Sequence, residues 1–495
     1  MSKISATVLM FWAMIVIAAH AQTYQTLFTF DGQNGAIPDV ILVQGRDGRF
    51  YGTTYLGGTG NLGSVFKLGS DGRLTTLYSF SDPRGAGAYP EGGLTQGIDG
   101  NFFGTADQGG PSRYGTVFKI TPDGELTALY TFCPSGENCV DGFAPQHGLV
   151  RGVDGNFYGT TTMGGFYNQD SCFSGCGTVF RITPQGVLTT LHRFAGYPSD
   201  GSVPAGLALG PDGNLYGTTA AGGSYGGCDF GCGAVFRITP AGSVAILHSF
   251  VSSPDGESPQ TGVVLDQSGY MYGVTFTGGA YGGGTAFRVA PTGDFSVMYT
   301  FCSKPNCADG KQPEGLTIGT DGNLYGVTRE GGRFSCYEVG CGTIFKVDPE
   351  GNRTTVYQFC PYGSFHGCAQ GFAPEAGLIQ GTDGRFYGAA SSGGDLLCTD
   401  GFGFGCGTVF SFDIGLGPFV RFVFPAGQTG QSGPILGQGF TGTTSVSING
   451  IEAKFTVISD TYIRATVPQG ATTGYVRVAT PSGLLTSNVP FRVTQ

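Results

Sequence analysis

The sequence predicts an all-β fold, a seven-bladed β-propeller followed by a small immunoglobulin-like β-sandwich. A motif of the form Asp-Gly-x-apolar-Tyr/Phe-Gly occurs seven times, and its closing glycines lie 52 to 62 residues apart (Gly52, Gly104, Gly159, Gly217, Gly273, Gly326 and Gly388). A unit of this length is typical of one propeller blade. The chain after residue 21 shows no apolar stripe with the 3.6-residue period of a helix.

Each unit predicts four antiparallel strands. In the third unit, β-branched and aromatic residues form short runs at 148–151, 156–160, 178–182 and 188–194. Asp154-Gly155 separates the first two runs and is a strong hairpin signal. A second tight turn at 183–186 separates the last two runs. Four antiparallel strands repeated seven times describe a propeller. A β-solenoid is the alternative, but its coils are shorter and parallel.

The ends of the repeat region predict closure of the ring. Segment 24–30 matches the fourth strand of a unit, as at 74–80, yet it precedes the first unit. The seventh unit reaches its third strand at 408–412 and leaves the pattern at Gly417. Pairing the two segments would complete the last blade and remove exposed strand edges. The alternative is that the segment from Phe419 completes the last blade.

The acidic residues of the repeated motif are interpreted as turn residues. An Asp or Asn side chain bonds to its own backbone in a tight turn and tolerates a glycine of positive φ after it. Ser268 replaces the Asp in the fifth copy and can make the same kind of turn. The six motif carboxylates are Asp47, Asp99, Asp154, Asp212, Asp321 and Asp383.

Residues 1–21 are predicted to be a cleaved signal peptide. Lys3 precedes a short apolar run, and Ala19-His20-Ala21 forms a cleavage site of the A-x-A type. The predicted mature chain contains no membrane span, since it lacks a sufficiently long apolar stretch. We expect a secreted or extracellular protein, either free or associated with the cell surface. The formal net charge of −10 and the lack of a basic patch exclude nucleic acid as an expected partner.

The predicted export to an oxidising compartment indicates how the cysteines are used. The 14 cysteines fall into seven close pairs, which in an oxidising compartment predict disulfides. Zinc is the alternative for the shortest spacings, although no His or second Cys pair lies nearby in sequence. The predicted bonds are Cys133–Cys139, Cys172–Cys176, Cys228–Cys232, Cys302–Cys307, Cys336–Cys341, Cys360–Cys368 and Cys398–Cys406.

Strand parity places all these cysteines at one end of the propeller. Connections after the second and fourth strands emerge at one end, and they hold every cysteine. Connections after the first and third strands are short turns at the other end. Variable loops on a rigid scaffold usually carry function, so the cysteine-bearing end is the predicted functional face.

Acidic residues at the start of first strands form the candidate site. First strands of propellers line the central channel, so carboxylates beside their prolines are expected at its mouth. Converging carboxylates would suit Ca²⁺, which takes six to eight oxygen ligands. Turn formation is the structural alternative for the same residues. The candidates are Asp141, Asp200, Asp255 and Asp309 in Asp-Gly-x-x-Pro segments, and Glu91, Glu314 and Glu375 directly after a proline.

The residue patterns also resemble two known families. Asp-Gly-Asn-Phe-Tyr-Gly-Thr, followed by Gly-Gly and Gly-Thr-Val-Phe-Arg, is similar to the GloVer tandem repeat of exported bacterial proteins. This resemblance covers 24–416 and implies no settled activity and no catalytic residues. Segment 417–495 resembles the IPT/TIG immunoglobulin-like domain through Gly439-Phe440, Asn449-Gly450 and Val467-Pro468. The predicted domains are therefore a signal peptide at 1–21, a propeller at 22–416 and a sandwich at 417–495.

These observations predict a non-catalytic binding or adhesion protein. Its partner would be an extracellular glycan or a surface protein, and calcium is the only cofactor that the pattern suggests. The alternative is a polysaccharide-active hydrolase or lyase that uses the carboxylates at the channel mouth. No Gly-x-Ser-x-Gly elbow, metal-binding His pair or phosphate-binding glycine pattern is present in the sequence.

Overall fold

The computed structural model is all-β, as predicted. It describes residues 22–494 apart from 169–171, 225–226, 335, 337–338, 362–367, 399–403 and 424–425. The predicted signal peptide at 1–21 lies outside the described residues. A short 3-10 helix at Pro305–Cys307 is the one helical element in the described ranges. Among those same residues, no helix is long and apolar enough to cross a membrane.

The repeats form seven four-stranded antiparallel sheets in the described part of the chain, here called sheets 1 to 7. Sheets 1 to 3 contain β2 (Val43–Gln44), β3 (Phe50–Thr54), β4 (Ser64–Leu68) and β5 (Leu74–Ser79); β6 (Thr95–Gln96), β7 (Phe102–Ala106), β8 (Thr116–Ile120) and β9 (Leu126–Thr131); and β10 (Val150–Arg151), β11 (Phe157–Thr161), β12 (Thr178–Ile182) and β13 (Leu188–Arg193). Sheets 4 and 5 contain β14 (Ser202–Leu209), β15 (Leu215–Ala221), β16 (Ala234–Ile238) and β17 (Val244–Ser249); and β18 (Val264–Leu265), β19 (Met271–Thr275), β20 (Thr285–Val289) and β21 (Phe295–Thr300). Sheet 6 contains β22 (Lys311–Ile318), β23 (Leu324–Glu330), β24 (Thr343–Val347) and β25 (Arg353–Gln358).

The two ends of the repeat region meet in sheet 7. This sheet contains β26 (Ile379–Gln380), β27 (Phe386–Ala390), β28 (Thr408–Asp413) and the N-terminal strand β1 (Thr23–Thr29). Thr26 pairs with Phe410 in an antiparallel register, so the first strand of the chain completes the last repeat. The predicted pairing of the chain ends is therefore present, and the alternative through Phe419 is wrong.

Aromatic residues of the repeated motif pack adjacent sheets together. Tyr51 of sheet 1 stacks on Phe102 of sheet 2 with ring centroids 4.1 Å apart, and Phe50 stacks on Tyr387 of sheet 7 at 3.9 Å. The closing glycine leaves room for a ring of the third strand, because a Cβ on Gly159 would lie 2.6 Å from Cζ of Phe180. The buried core therefore lies between the sheets, and the motif supplies both of its faces.

The motif carboxylates hold the hairpin turns, as the sequence predicts. Oδ1 of Asp154 accepts a hydrogen bond from the Asn156 amide at 3.1 Å, and its Oδ2 accepts one from the Tyr158 hydroxyl at 2.8 Å. In the fifth repeat the predicted substitute, Ser268, is not the acceptor. Asp266 accepts hydrogen bonds from the amide of Ser268 and the hydroxyl of Tyr272 instead. The acidic group has moved two residues towards the N-terminus.

The seven predicted disulfides are all formed. Each one lies in a connection after a second or fourth strand. We call this side of the sheets the stapled end. The opposite side, which carries the short turns after first and third strands, is the hairpin end. Seven disulfides are typical of a chain that folds in an oxidising compartment.

The C-terminal strands form two further four-stranded sheets and one parallel pair. The first sheet has the order β29-β31-β35-β34, the second β33-β32-β36-β37, and β30 pairs with β38. A separate core between them contains Phe440, Val446, Ile463 and Val476. The strands are β29 (Arg421–Phe422), β30 (Ala426–Gln428), β31 (Ser432–Leu436), β32 (Ser445–Ile448), β33 (Ile451–Glu452), β34 (Phe455–Ser459), β35 (Tyr462–Thr466), β36 (Val476–Thr480), β37 (Gly483–Thr486) and β38 (Arg492–Thr494).

The C-terminal strands lie across the hairpin end of the repeat sheets. The Thr461 hydroxyl donates a hydrogen bond of 3.0 Å to the carbonyl of Arg46 in the sheet 1 turn. Gln438 bonds to Thr382 in the sheet 7 turn at 2.9 Å. Further contacts reach sheets 4 and 5, where Arg492 bonds to the Pro211 carbonyl and Gln267 bonds to Tyr475. Turns of four repeat sheets therefore contact this domain.

Candidate functional site

The first strands of all seven repeat sheets line one cavity of about 1080 Å³. Phe419, Arg421, Phe422 and Leu436 of the C-terminal region line it as well. These residues lie at the hairpin end, where the C-terminal strands contact the turns. The cavity is therefore closed at the hairpin end and has its mouth at the stapled end.

A ring of residues surrounds this mouth. Each first strand either contains a proline or begins five residues after one, and the residue that follows the proline lines the cavity. In sheet order 1 to 7 these residues are Asp39, Glu91, Gln146, Ala205, Gln260, Glu314 and Glu375. We call them the mouth ring. Four neighbouring sheets, 6, 7, 1 and 2, contribute its four carboxylates.

Unusual backbone geometry fixes the mouth ring. The residue before each of these prolines has a φ between 50° and 57°, which non-glycine residues rarely adopt (Ile37, Tyr89, Ala144, Val203, Ser258, Gln312 and Ala373). Hydrogen bonds to a neighbouring sheet hold this conformation, such as that from the Ile37 amide to the Cys406 carbonyl at 3.0 Å. Non-glycine residues in such conformations persist only where surrounding structure determines them. The mouth ring therefore starts from a rigid backbone.

Asp39 and Glu375 share a hydrogen bond at the centre of the acidic half-ring. Burial, followed by the neighbouring charges of Glu375 and Glu91, raises the pKa of Asp39 well above its ordinary value. Glu375 also pairs with Arg329, whose Nη2 lies 3.0 Å from Oε1. This arrangement places one cation among the neighbouring acids of the half-ring.

Glu91 lies next to a second acid, Asp107. Burial and the charges of Asp107 and Glu375 raise the pKa of Glu91 to about 8. Burial also raises the pKa of Asp107, and its Oδ1 atom is buried without a hydrogen-bond partner. Glu91 is therefore predominantly protonated at neutral pH in the ligand-free protein.

Glu314 is the most isolated acid of the mouth ring. Its side chain is 6% exposed and lines the cavity. Among the described residues, no hydrogen-bond donor or ion-pair partner contacts its carboxylate. Burial and the charges of Asp39 and Glu375 raise its pKa well above the ordinary value. A buried acid without a partner is costly and is suited to meet a ligand.

The basic groups of the cavity wall lie at its other end. Arg151 ends the first strand of sheet 3, beside the hairpin turn, and Arg421 belongs to the C-terminal domain. Burial lowers the pKa of Arg151 to about 10, and it also lowers the pKa of Arg421. His147, beside Gln146 in sheet 3, has its pKa lowered by burial to about 4, so it is neutral. The cavity is therefore acidic at its mouth and basic at its closed end.

The structure divides the sequence-predicted acids into two groups. Glu91, Glu314 and Glu375 lie together in the mouth ring, whereas the four predicted aspartates do not line the cavity. Asp141, Asp200, Asp255 and Asp309 turn towards the preceding sheet and accept hydrogen bonds from Tyr130, His192, His248 and Tyr299 of its fourth strand.

These aspartates connect each loop to the strand before it. Asp200 lies 2.8 Å from Nε2 of His192 and accepts bonds from the amides of Ala195 and Gly201. Burial alone would raise the pKa of Asp200, but these hydrogen bonds hold it below its ordinary value. Burial lowers the pKa of His248 despite its contact with Asp255. These aspartates therefore anchor their loops to the fourth strand of the preceding sheet.

The sequence analysis did not predict three charged residues of the mouth. Asp39 follows Pro38 directly, as Glu91 follows Pro90, and this shared position could have indicated it. Asp107 and Arg329 occupy equivalent places at the end of a second strand, in sheets 2 and 6. No motif marks that place, because the other repeats carry Tyr55, Thr162, Ala220, Phe276 and Ser391 there.

The carboxylates of the mouth do not form a compact metal cluster. In the described part of the chain, two groups bring three potential ligand atoms within 4.8 Å of one another. They are Cys336, Cys360 and Cys368, and Cys228, Cys232 and Glu257. All of these cysteines are in disulfides, so they offer no thiolate.

Two exposed aromatic side chains lie on neighbouring stapled loops, those of sheets 3 and 4. Phe173 in the sheet 3 loop is 70% exposed, and Phe230 in the sheet 4 loop is 46% exposed. Their rings meet edge to face with centroids 6.1 Å apart. Each lies beside a disulfide, Cys172–Cys176 or Cys228–Cys232. These loops therefore present apolar rings in a restrained position.

Comparison with family models identifies both parts of the chain. The Gloeobacter/Verrucomicrobia repeat model matches residues 14–173 and 224–447, which is more than half of the sequence. The chain belongs to the Gloeobacter/Verrucomicrobia repeat family. The IPT/TIG domain model matches residues 418–493 of this family member. Both resemblances seen in the sequence are confirmed. No curated protein matches the chain.

Solved structures resemble this family member only distantly. Virginiamycin B lyase from Staphylococcus aureus is 17% identical, with a TM-score of 0.49, over 79% of this chain and 99% of the lyase. A putative 6-phosphogluconolactonase from Bacteroides uniformis is 17% identical, with a TM-score of 0.44, over 67% and 85% of the two chains. These values support no inference about activity.

Proposed function

We propose that this chain is an exported binding protein that takes an extracellular glycan at the mouth of its cavity. In this proposal the seven repeat sheets are the blades of a seven-bladed β-propeller. The IPT/TIG domain is an immunoglobulin-like β-sandwich that closes the hairpin end. The observation that carries the proposal is a cavity of about 1080 Å³ with one mouth, surrounded by disulfide-restrained loops.

The chemistry of the mouth supports a carbohydrate ligand. Gln146, Gln260 and Thr162 line one side of the cavity with donors and acceptors suited to hydroxyl groups. Phe173 and Phe230 add exposed apolar rings on the adjacent loops. Ligand sites commonly combine apolar walls with a few polar groups that fix orientation. A glycan offers both hydroxyls and apolar ring faces.

Export is part of the same proposal. The seven disulfides fit an oxidising compartment, and the predicted signal peptide at 1–21 provides the route. We propose that binding needs no cofactor, since the carboxylates of the mouth do not form a compact set of metal ligands. Calcium at Glu91, Glu314 and Glu375 is the competing proposal. Ligand affinity measured in a chelator and in added Ca²⁺ separates the two, and equal affinities support binding without a cofactor.

A glycan array with the mature chain, residues 22–495, tests the proposed function. We expect selective binding to a set of related glycans. Binding should weaken in Phe173→Ser and Phe230→Ser, because each removes an exposed ring from a stapled loop. Val187→Ser is the matched control, since Val187 is 65% exposed in a turn at the hairpin end. An array without selective binding by the folded protein would contradict the proposal.

One observation favours a second candidate function, polysaccharide cleavage. Glu91 keeps a proton at neutral pH because burial and the charge of Asp107 raise its pKa to about 8, as a general acid requires. Release of reducing ends from a bound polysaccharide by the wild type, and its loss in Glu91→Gln, would support an enzyme. Binding without product release supports the non-catalytic function.

A further inference from the structure

The charge of the cavity mouth is distributed unevenly. Glu314, Glu375, Asp39 and Glu91 occupy four successive positions of the mouth ring, whereas the other three positions carry Gln146, Ala205 and Gln260. Asp107 adds a fifth acid on the same side, and Arg329 is the cation paired with Glu375. One half of the mouth is therefore acidic and the other half is neutral and polar.

One acid of the acidic half, Glu314, lacks a partner, and a second, Asp107, has one unpaired oxygen although Gln108 and Gln146 lie beside its carboxylate. Glu314 is 6% exposed as a residue and lines the cavity, and its carboxylate contacts no donor among the described residues. Oδ1 of Asp107 is buried with no hydrogen-bond partner in the same part of the structure. Leaving such groups unpaired costs free energy, which a ligand that donates hydrogen bonds or brings positive charge would recover.

The cations of the cavity compensate these acids only in part, because the charge of Arg329 acts on Glu314 and Asp39 as well as on its partner Glu375. Arg151 and Arg421 line the closed end of the cavity. The first strands run between these two arginines and the mouth ring. Arg329 is committed to Glu375 at 3.0 Å. Attraction for a positively charged ligand group is therefore concentrated at the mouth, where the ligand enters.

We propose that the glycan bound at the mouth is an amino sugar with free amines. A protonated amine donates three hydrogen bonds, and its positive charge would favour the ionised forms of Glu314, Asp39 and Glu91 in the acidic half. The sugar hydroxyls meet Gln146 and Gln260 on the neutral half. This inference rests on the proposed glycan-binding function. It names the chemical class that the site prefers among glycans.

Calorimetric titration with two matched probes tests the inference. Glucosamine tetramer carries free amines, and N-acetylglucosamine tetramer has the same backbone with the amines neutralised. We expect the glucosamine tetramer to bind the mature chain about tenfold more tightly or better, in line with hydrogen bonds between charged groups. Raising the ionic strength should reduce this preference, because salt screens the charge of the mouth.

Two variants of one repeat sheet connect the preference to the mouth. Glu314→Gln removes the unpartnered acid and should lower the affinity for glucosamine tetramer about tenfold, while lowering that for the acetylated probe much less. Glu350→Gln is the matched control, because Glu350 is exposed in the hairpin turn of the same sheet. Equal melting temperatures of the two variants show that both are folded.

The outcomes distinguish failure of the amino-sugar inference from failure of the proposed glycan binding. Tighter binding of the acetylated probe, or a preference that Glu314→Gln does not change, overturns the amino-sugar inference and leaves glycan binding intact. Binding of neither tetramer, together with a glycan array that shows no selective ligand, overturns both. A third probe, spermidine, tests charge alone. If spermidine binds as tightly as glucosamine tetramer, the site recognises amines without the sugar and the inference is wrong.

Discussion

The phenol of Tyr158 donates a hydrogen bond of 2.8 Å to the carboxylate of Asp154, four residues earlier in the same hairpin. The same pairing occurs between Asp47 and Tyr51 at 2.9 Å and between Asp383 and Tyr387 at 2.6 Å. The tyrosine ring belongs to the core between sheets, and its hydroxyl reaches the turn. One pair therefore connects the packing of a sheet with the turn that begins its second strand.

Removing one such carboxylate should destabilise the chain measurably. Asp154→Ala leaves the Tyr158 hydroxyl without its acceptor, and we expect a loss of about 1 to 2 kcal/mol in the free energy of unfolding. Asp99→Ala is the matched control, because sheet 2 has Phe103 at the tyrosine position and loses only the turn bonds. Urea unfolding compares the two. Equal losses would show that the phenol contributes nothing.

The repeated motif explains why much of the fold could be predicted. Neighbouring residues determine the turn at Asp154-Gly155 and the packing at Gly159. Both features can therefore be predicted from the sequence. The disulfides follow for the same reason, since each joins cysteines four to eight residues apart. The pairing of β1 with β28 was accessible because both segments carry pieces of one repeat unit.

The site could be predicted only in part, because it depends on contacts between distant residues. The placement of the C-terminal domain rests on bonds such as Thr461 to Arg46, which no repeat pattern encodes. Asp141 and Asp309 belong to Asp-Gly-x-x-Pro segments that lead into the mouth ring. Their carboxylates do not line the cavity, because they accept hydrogen bonds from the hydroxyls of Tyr130 and Tyr299. Asp39 follows Pro38 as Glu91 follows Pro90, so its position in the repeat, rather than any motif of its own, could have indicated it.

The acids of the mouth should make the protein less stable as the pH rises. Burial and the charges of Asp107 and Glu375 raise the pKa of Glu91 to about 8 in the folded state, against about 4.3 in an unfolded chain. The contribution of Glu91 is therefore fully present below pH of about 4.3 and is lost as the pH rises through about 8. Melting temperatures between pH 5 and 9 should fall more steeply for the wild type than for Glu91→Gln. Parallel curves would contradict the assignment.

The N-terminal strand should be essential to the repeat domain. Tyr24 of β1 stacks on Tyr357 of sheet 6 with centroids 4.1 Å apart, and its hydroxyl donates a bond of 2.7 Å to the Gln370 carbonyl. We expect Tyr24→Ala to lower the free energy of unfolding by about 3 kcal/mol, as for other large-to-small aromatic substitutions. Tyr475→Ala, at a side chain that is 44% exposed, should cost less than about 1 kcal/mol. Similar losses in denaturant titrations would argue against closure by β1.

The contact between the two parts of the chain should be measurable as a coupling energy. The Arg46 guanidinium lies over the Tyr462 ring, 5.5 Å from its centroid. A double-mutant cycle with Arg46→Ala and Tyr462→Ala should give a coupling of about 0.5 to 1 kcal/mol in thermal or urea unfolding. A coupling of zero would show that the C-terminal domain is not held on the hairpin end through this pair.

Obstruction of the cavity mouth tests the central claim most directly. Ala220 is the penultimate residue of the second strand of sheet 4 and lines the cavity near its mouth, whereas Ala241 is exposed in the hairpin turn of the same sheet. The measurement is the affinity of Ala220→Trp and Ala241→Trp for the glycan that the wild type binds, at equal melting temperatures. The account predicts that Ala220→Trp abolishes binding and that Ala241→Trp leaves it unchanged. Wild-type affinity in Ala220→Trp would contradict it.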